Sequence, residues 1–380
     1  MAKLASLGFV GAIIFFLLAG CAAKQPAPSS SGSTTAPVMP SAPATATVAL
    51  SPADAEWAKV IAEARKEGKV NVYTFWITGD ASKAVAEAFE KRYGIKVEMI
   101  TGVGAVLIER MKTEQAAGKY VADTFDSAIS LVTMAKDNGL LQKWGNLPVL
   151  NEKIEWRIPP RVDAEDTIID GGVGHVTTII NTSLVKPGDE PKSFKDFLEP
   201  KWGGGKISIA SPVTAPVSIM PYVKKIIDDD YFIRLGKNNP KIGPTVRDGI
   251  NAVARSEAYV EFLMTDSIVA PLAAQGAPLK AIELAEGALR LHGLTLTFPK
   301  NAPHPNAAKL FANWMLSKEG QEAYHKTAST TPVRGDMPSY MPRAVSLEYK
   351  KVTNLSLEDM LKVSKIQQDG TVAKLLGLMK

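Results

Sequence analysis

One cysteine occurs in 380 residues, Cys21, which excludes an internal disulfide and a cysteine metal cluster together. The four histidines, His175, His292, His304 and His325, are scattered without ligand spacing. A helix crossing a bilayer needs about 20 apolar residues, and the one extended apolar run, Leu4 to Leu18, falls short of that. Charge of one sign is also missing. The chain has 44 basic and 39 acidic residues, and no dense Lys/Arg run with interleaved aromatics marks a nucleic-acid surface. Internal repeats and coiled-coil heptads do not occur, which removes solenoid and fibrous architectures. No nucleophile elbow, paired-His zinc helix, P-loop lysine or Cys–His pair is present, so the common catalytic signatures are absent. Asp123 and Asp126 lie close together, but three residues apart on a strand their side chains point to opposite faces. No catalytic residue, metal ligand set or cofactor is therefore assigned.

The N-terminus carries positive signals. Lys3 followed by the apolar run has the proportions of a secretory signal. Leu18, Ala19, Gly20 and Cys21 then resemble the lipobox of bacterial lipoproteins, in which the cysteine is diacylated and becomes the first mature residue. That resemblance implies a signal peptide over residues 1–20, a lipid on Cys21 and a location outside the cytoplasm, in a periplasm or at a cell surface. A cleaved secretory signal with an incidental cysteine is the alternative. Each buried lipid CH₂ contributes about 0.8 kcal/mol, so two or three acyl chains hold a protein on a bilayer without a spanning helix. Residues 21–50 are mostly Ala, Pro, Ser and Thr with one charge, at Lys24. Such a segment cannot bury enough surface to offset its ordering entropy, and it reads as a disordered tether.

From Ser51 onward the chain is long enough for two domains, since single cores stop growing near roughly 250–300 residues. Ser51 and Pro52 suit a helix start, Trp57, Val60, Ile61 and Ala64 recur at helical spacing, and Gly68 suits the stop. The period then changes. Strands are predicted at Lys69–Phe75, Ile95–Ile100 and Val121–Ser127, with helices at Ala81–Tyr93, Ala105–Ala117 and Leu131–Asn138 between and after them. This alternation implies βαβ units and a parallel sheet, with ligands beyond the carboxyl ends of the strands. Further on, strands are predicted at Val176–Asn181, Lys206–Ala210, Ala258–Met264 and Leu291–Phe298. Helices are predicted at Phe194–Leu198, Val217–Asp228, Val246–Ser256 and Pro305–His325.

These segments together resemble the family 1 extracellular solute-binding proteins of ABC importers, in the ferric-binding-protein-like branch. The stretches are Trp57 to Phe75, Ala84 to Gly102, Ile108 to Ser127, Ile179 to Pro212, the AAQGAPLKAI run from Ala273, and Asn301 to Tyr324 followed by TPVR. Their shared order and spacing carry the resemblance, which covers nearly the whole chain after the tether. It implies an α/β, two-lobed periplasmic-binding-protein-like fold of type II, with the ligand cleft between lobes joined by a hinge. Lobe one is expected over 51–178 plus 290–380, and lobe two over 179–289. The implied partners are a small polar or anionic solute and an ABC permease with its ATPase, the receptor acting as a monomer. An iron or metal-chelate cargo is one alternative, and an extracytoplasmic lipoprotein enzyme is another.

Combining the strand-end rule with the family's positions proposes the ligand-binding residues, each with a bland reading beside it. Thr74, Phe75, Trp76 and Ile77 end the first strand, and Trp76 fits core packing as readily as pocket lining. Gly102, Val103 and Gly104 open a helix whose backbone N–H groups suit an anionic solute. They read G-x-G-x-x-L, without the third glycine of a dinucleotide fingerprint. Asp126 and Ser127 end the third strand, where an exposed carboxylate or a helix N-cap is the commoner role. Thr178 and Asn181 lie near the first hinge crossing, and Asn181 suits local backbone bonds. Thr214 offers a hydroxyl, although Pro216 removes an N–H donor from that helix start. Met264, Thr265 and Asp266 stand where iron-binding members of the family carry an adjacent tyrosine pair. A thioether, a hydroxyl and one carboxylate suit ferric iron poorly.

Overall fold

The computed structural model describes residues 51–380. The signal, Cys21 and the tether lie outside the described residues. The first part of the chain alternates as expected: α1 (Pro52–Glu67), β1 (Lys69–Thr74), α2 (Gly79–Tyr93), β2 (Lys96–Thr101), α3 (Gly104–Ala116), β3 (Thr124–Asp126) and α4 (Ile129–Asp137). The caps of α1 are those the sequence indicated. The Ser51 hydroxyl accepts from the Asp54 N–H, and Gly68 takes φ 72° at the C-terminus, where it donates to Ala64 O.

Short strands β4 (Leu141–Gln142) and β5 (Ile168–Asp170) follow, then the long β6 (Gly172–Asn181) and β7 (Ile207–Ala210). After them come α5 (Met220–Val223), α6 (Asp229–Lys237), β8 (Lys241–Gly243), α7 (Val246–Ala254), β9 (Val260–Thr265), α8 (Asp266–Ala274), β10 (Leu279–Ile282) and β11 (Ala288–His292). The chain ends with β12 (Thr295–Pro299), α9 (Pro305–Met315), α10 (Lys318–Ala328), β13 (Thr331–Pro332), β14 (Val352–Asn354), α11 (Leu357–Gln368) and α12 (Thr371–Leu375). Among the described residues no helix is long and apolar enough to cross a membrane.

Two sheets organise these elements. The first runs β2-β1-β3-β12-β4 with β5 beside β12, and the second runs β14-β11-β6-β9-β7-β8 with β10 and β13 also on β6. The expected parallel pairing holds for β1 with β2 and β3, whereas β12 enters the first sheet antiparallel. In the second sheet β6 pairs antiparallel with β9, β10, β11 and β13. The chain passes between sheets three times, from Asp170 to Gly172, from His292 to Thr295 and, through α9 and α10, from Pro299 to Thr331. Residues 172–178, 331–332 and 352–354, expected with lobe one, pair in the second sheet.

Three expected elements are broken, each for a local reason. The strand over Leu291–Phe298 divides at Gly293, because it changes sheets there; a Cβ on Gly293 would lie 2.8 Å from Gly172 C. The helix over Pro305–His325 divides at Ser317, whose hydroxyl caps α10 by accepting from Gly320 N. The expected helix over Val217–Asp228 yields only a 3₁₀ turn and the single turn α5, with Lys225 at φ 55°. Asp228 then starts α6, which periodicity did not indicate, by accepting from Tyr231 N at 3.0 Å.

Candidate functional site

A cavity of about 760 Å³ lies between the two sheets. From the first-sheet side it is lined by the β1–α2 loop, the β2–α3 loop and the end of α10 through Thr330. From the second-sheet side come Arg247 on α7 and Ser267, Ile268, Pro271 and Gln275 on α8. The volume is within the usual range for small-molecule sites, roughly 300–1,000 Å³.

Four expected ligand residues, Phe75, Trp76, Gly102 and Val103, reach this space. Phe75 is 37% exposed, Val103 is 62% exposed and Trp76 is half-buried. The others support it from behind or lie elsewhere. Thr74 is buried, its hydroxyl accepting from Ile77 N at 2.8 Å, and Ile77 is a core residue. Asp126 is fully buried. Its Oδ1 accepts from Phe75 N at 3.0 Å and Trp76 N at 2.9 Å, which holds the aromatic loop in place. Burial pushes its carboxyl up to about 7, against those hydrogen bonds.

Ser127 is buried behind the start of α3, where a Cβ on Gly104 would lie 1.9 Å from its Oγ. Thr178 is buried and donates to Phe262 O at 2.8 Å, and Asn181 donates to Val253 O at 2.7 Å, a local backbone role. Thr214 is exposed, is not part of the lining, and donates to Pro244 O. Met264, Thr265 and Asp266 are buried in the strand end and helix start that present Ser267 to the cavity. Asp266 Oδ2 stands 3.1 Å from His175 Nδ1, and its Oδ1 accepts from Ser267 N.

The electrostatics of the lining follow from helix geometry. Thr78, Val103 and Thr265 are the N-caps of α2, α3 and α8, and none of their side chains closes a capping hydrogen bond. The first turns of α2 and α3 carry free N–H groups and a partial positive charge, whereas in α8 the Asp266 carboxylate takes Ser267 N; all three border the cavity. Arg247 adds a full positive charge. The acidic lining residue, Asp80, is engaged by Lys83 at 3.3 Å. Trp76 Nε1 and Ser267 Oγ are buried without a partner among the described residues. Arg247, Ser267 and Tyr324 were not among the expected residues. Only the Thr245–Asp248 capping box, which fixes the start of α7, signalled in the sequence where Arg247 would sit.

Residues 76–322 match the bacterial extracellular solute-binding protein family. The chain belongs to that family. A relative in Haemophilus influenzae, an uncharacterized protein, is 25% identical over 286 residues, covering 72% of this chain and 80% of its own length. Iron uptake protein A1 of Synechocystis is 30% identical over 118 residues, 30% of this chain and 31% of that one. Among solved structures, iron-bound HitA from Pseudomonas aeruginosa is 20% identical, covering 81% of this chain and 98% of its own, with TM-score 0.64. The ferric binding protein from Campylobacter jejuni is also 20% identical, at coverages of 81% and 99% and TM-score 0.65. AfuA from Actinobacillus pleuropneumoniae, with exogenous fructose-6-phosphate bound, is 22% identical at coverages of 82% and 98% and TM-score 0.63. This solute-binding protein therefore has the two-sheet type II fold of periplasmic binding proteins.

Proposed function

We propose that the chain is the receptor of an ABC importer, that it takes a small anionic solute into the cavity between its sheets, and that it hands this solute to the permease. The observation that carries the reading is the convergence of two helix N-termini without a side-chain cap, those of α2 and α3, with Arg247 on one cavity. Helix N-termini and arginine both favour an anion, and an arginine fork offers two parallel donors to a carboxylate or phosphate. Two of the structural neighbours hold anionic ligands: AfuA with fructose-6-phosphate and the Trichodesmium protein with iron and citrate. An iron or metal-chelate cargo is a second reading, favoured by the ferric-binding neighbours, and it would place the chelating anion at the same donors.

In this reading the two lobes pivot at two of the places where the chain passes between sheets, Asp170–Gly172 and His292–Thr295, and closure over the solute is the state the permease recognises. A lipid on Cys21 with the tether through residue 50 keeps the monomeric receptor beside its permease. The test is a thermal-shift screen of phosphonates, carboxylates, sugar phosphates and metal chelates on the wild type and Arg247→Ala. The expected outcome is that an anionic compound raises Tm and that Arg247→Ala loses most of the shift. A hit of undiminished size in Arg247→Ala contradicts the anion site.

A further inference from the structure

One wall of the cavity is apolar in a way that charge recognition does not need. Large apolar side chains at a protein surface are ordinarily scattered singly. Here Phe75 and Val103, both well exposed, stand on the same wall as Trp76. Phe75 and Trp76 meet edge-to-face, with centroids 4.8 Å apart and planes at 74°. Ile268 and Pro271 add apolar surface from α8.

The wall is also held in advance. Asp126 Oδ1 takes both the Phe75 and the Trp76 N–H, and the Thr74 hydroxyl takes that of Ile77, so three consecutive backbone donors are tied to buried side chains. A wall fixed in this way adds little ordering entropy to binding. An inorganic oxyanion would occupy a small part of about 760 Å³ and leave Phe75 wet.

Building on the anion reading above, we infer that the solute is an organic anion carrying a flat ring. The ring packs on Phe75, and the anionic group meets Arg247 and the open helix N-termini. Recognition is then divided between two ends of the cavity. Apolar contact with the aromatic wall contributes affinity, and the charged end fixes orientation. Phe75 is the specificity-determining residue for the ring, and Asp126 positions it without touching the solute.

Calorimetric titration of the full chain carrying Cys21→Ser, with methylphosphonate, phenylphosphonate and benzyl alcohol as probes, tests this. Phenylphosphonate is expected to bind at least about tenfold tighter than methylphosphonate, as covering one ring face implies. Phe75→Ala should erase most of that difference by weakening phenylphosphonate far more than methylphosphonate, and Phe75→Leu, which keeps apolar bulk, should retain part of it. Equal affinity for the two phosphonates, or equal loss of both in Phe75→Ala, overturns the ring assignment and leaves the anion reading standing. Benzyl alcohol binding as tightly as phenylphosphonate overturns the anion reading instead. Absence of heat with all three probes overturns both.

Discussion

Asp170 Oδ2 lies 2.7 Å from His292 Nδ1, and this pair joins two of the three places where the chain passes between its sheets. The other oxygen of Asp170 accepts from Gly172 N at 3.2 Å and Leu294 N at 3.1 Å, one donor from each crossing. The crossings are laced further by Gly171 N donating to Leu294 O and Gly293 N donating to Gly172 O. His325, which burial drives down to about 3 and keeps neutral, donates from Nε2 to Gly171 O at 2.8 Å. One buried carboxylate therefore ties these two crossings to each other.

Removing that carboxylate should loosen the hinge. Asp170→Ala is expected to destabilise the fold by about 3–5 kcal/mol, because it leaves a buried partner unpaired. Asp170→Asn keeps an oxygen for the two N–H groups and should cost less. Spin labels at Glu87→Cys and Lys237→Cys, on α2 and α6, read the effect through their distance distribution. A broader distribution in the alanine variant than in the asparagine variant supports the shared hinge, and three superimposable distributions count against it.

The same pair should make the hinge sensitive to pH. Burial lowers the His292 pKa, but the hydrogen bond and charge of Asp170 outweigh it and leave it above the usual 6.5. A pKa raised on folding contributes stability that is fully present below about 6.5 and lost as pH rises through the folded value. Distance distributions recorded between pH 6 and pH 9 should broaden with rising pH in the wild type. His292→Gln should flatten this dependence; an unchanged slope would remove His292 from the account.

Glu261 is fully buried beneath α7, and burial pushes its carboxyl up to about 8, against the hydrogen bond from Ala210 N. The folded chain holds this proton where the unfolded chain, with a carboxyl near 4.5, has lost it. Stability should therefore fall as pH rises from about 4.5 to 8, by up to about 1.4 kcal/mol per pH unit from this group. Glu261→Gln removes the titration. Its urea midpoint should be flatter across that window than the wild type's, and parallel curves would show that Glu261 does not carry the proton.

Gly104 touches the layer beneath the cavity so closely that no side chain fits. An added Cβ would stand 1.9 Å from Ser127 Oγ and 2.7 Å from Leu131 Cδ1. Gly104→Ala should cost about 1–3 kcal/mol through overpacking. Gly104→Ala combined with Ser127→Gly should recover part of the loss in Tm. Wild-type stability of the single variant would show that the start of α3 can shift freely.

Much of the fold was legible because its signals are local. Ser51 and Gly68 mark both ends of α1, and the changes of period from Lys69 to Asn138 give the alternating elements. The strand-end rule led to Phe75, Trp76 and Val103. It also gathered Thr74, Ile77, Asp126 and Ser127, because side chains alternate along a strand and only some of them face the cavity. Arg247 was not legible, since its place depends on how α7 packs after β8. The break at Gly293 was hidden for the same reason, since the strand divides there against distant Gly172, whereas the break at Ser317 rests on its local cap to Gly320 N.

Mass spectrometry under native conditions, on the chain purified from its own cell envelope, tests the central claim most directly. The account predicts one bound organic anion per chain, released on denaturation and absent from Arg247→Ala. A bound neutral solute, or an anion retained at full occupancy by Arg247→Ala, would contradict it.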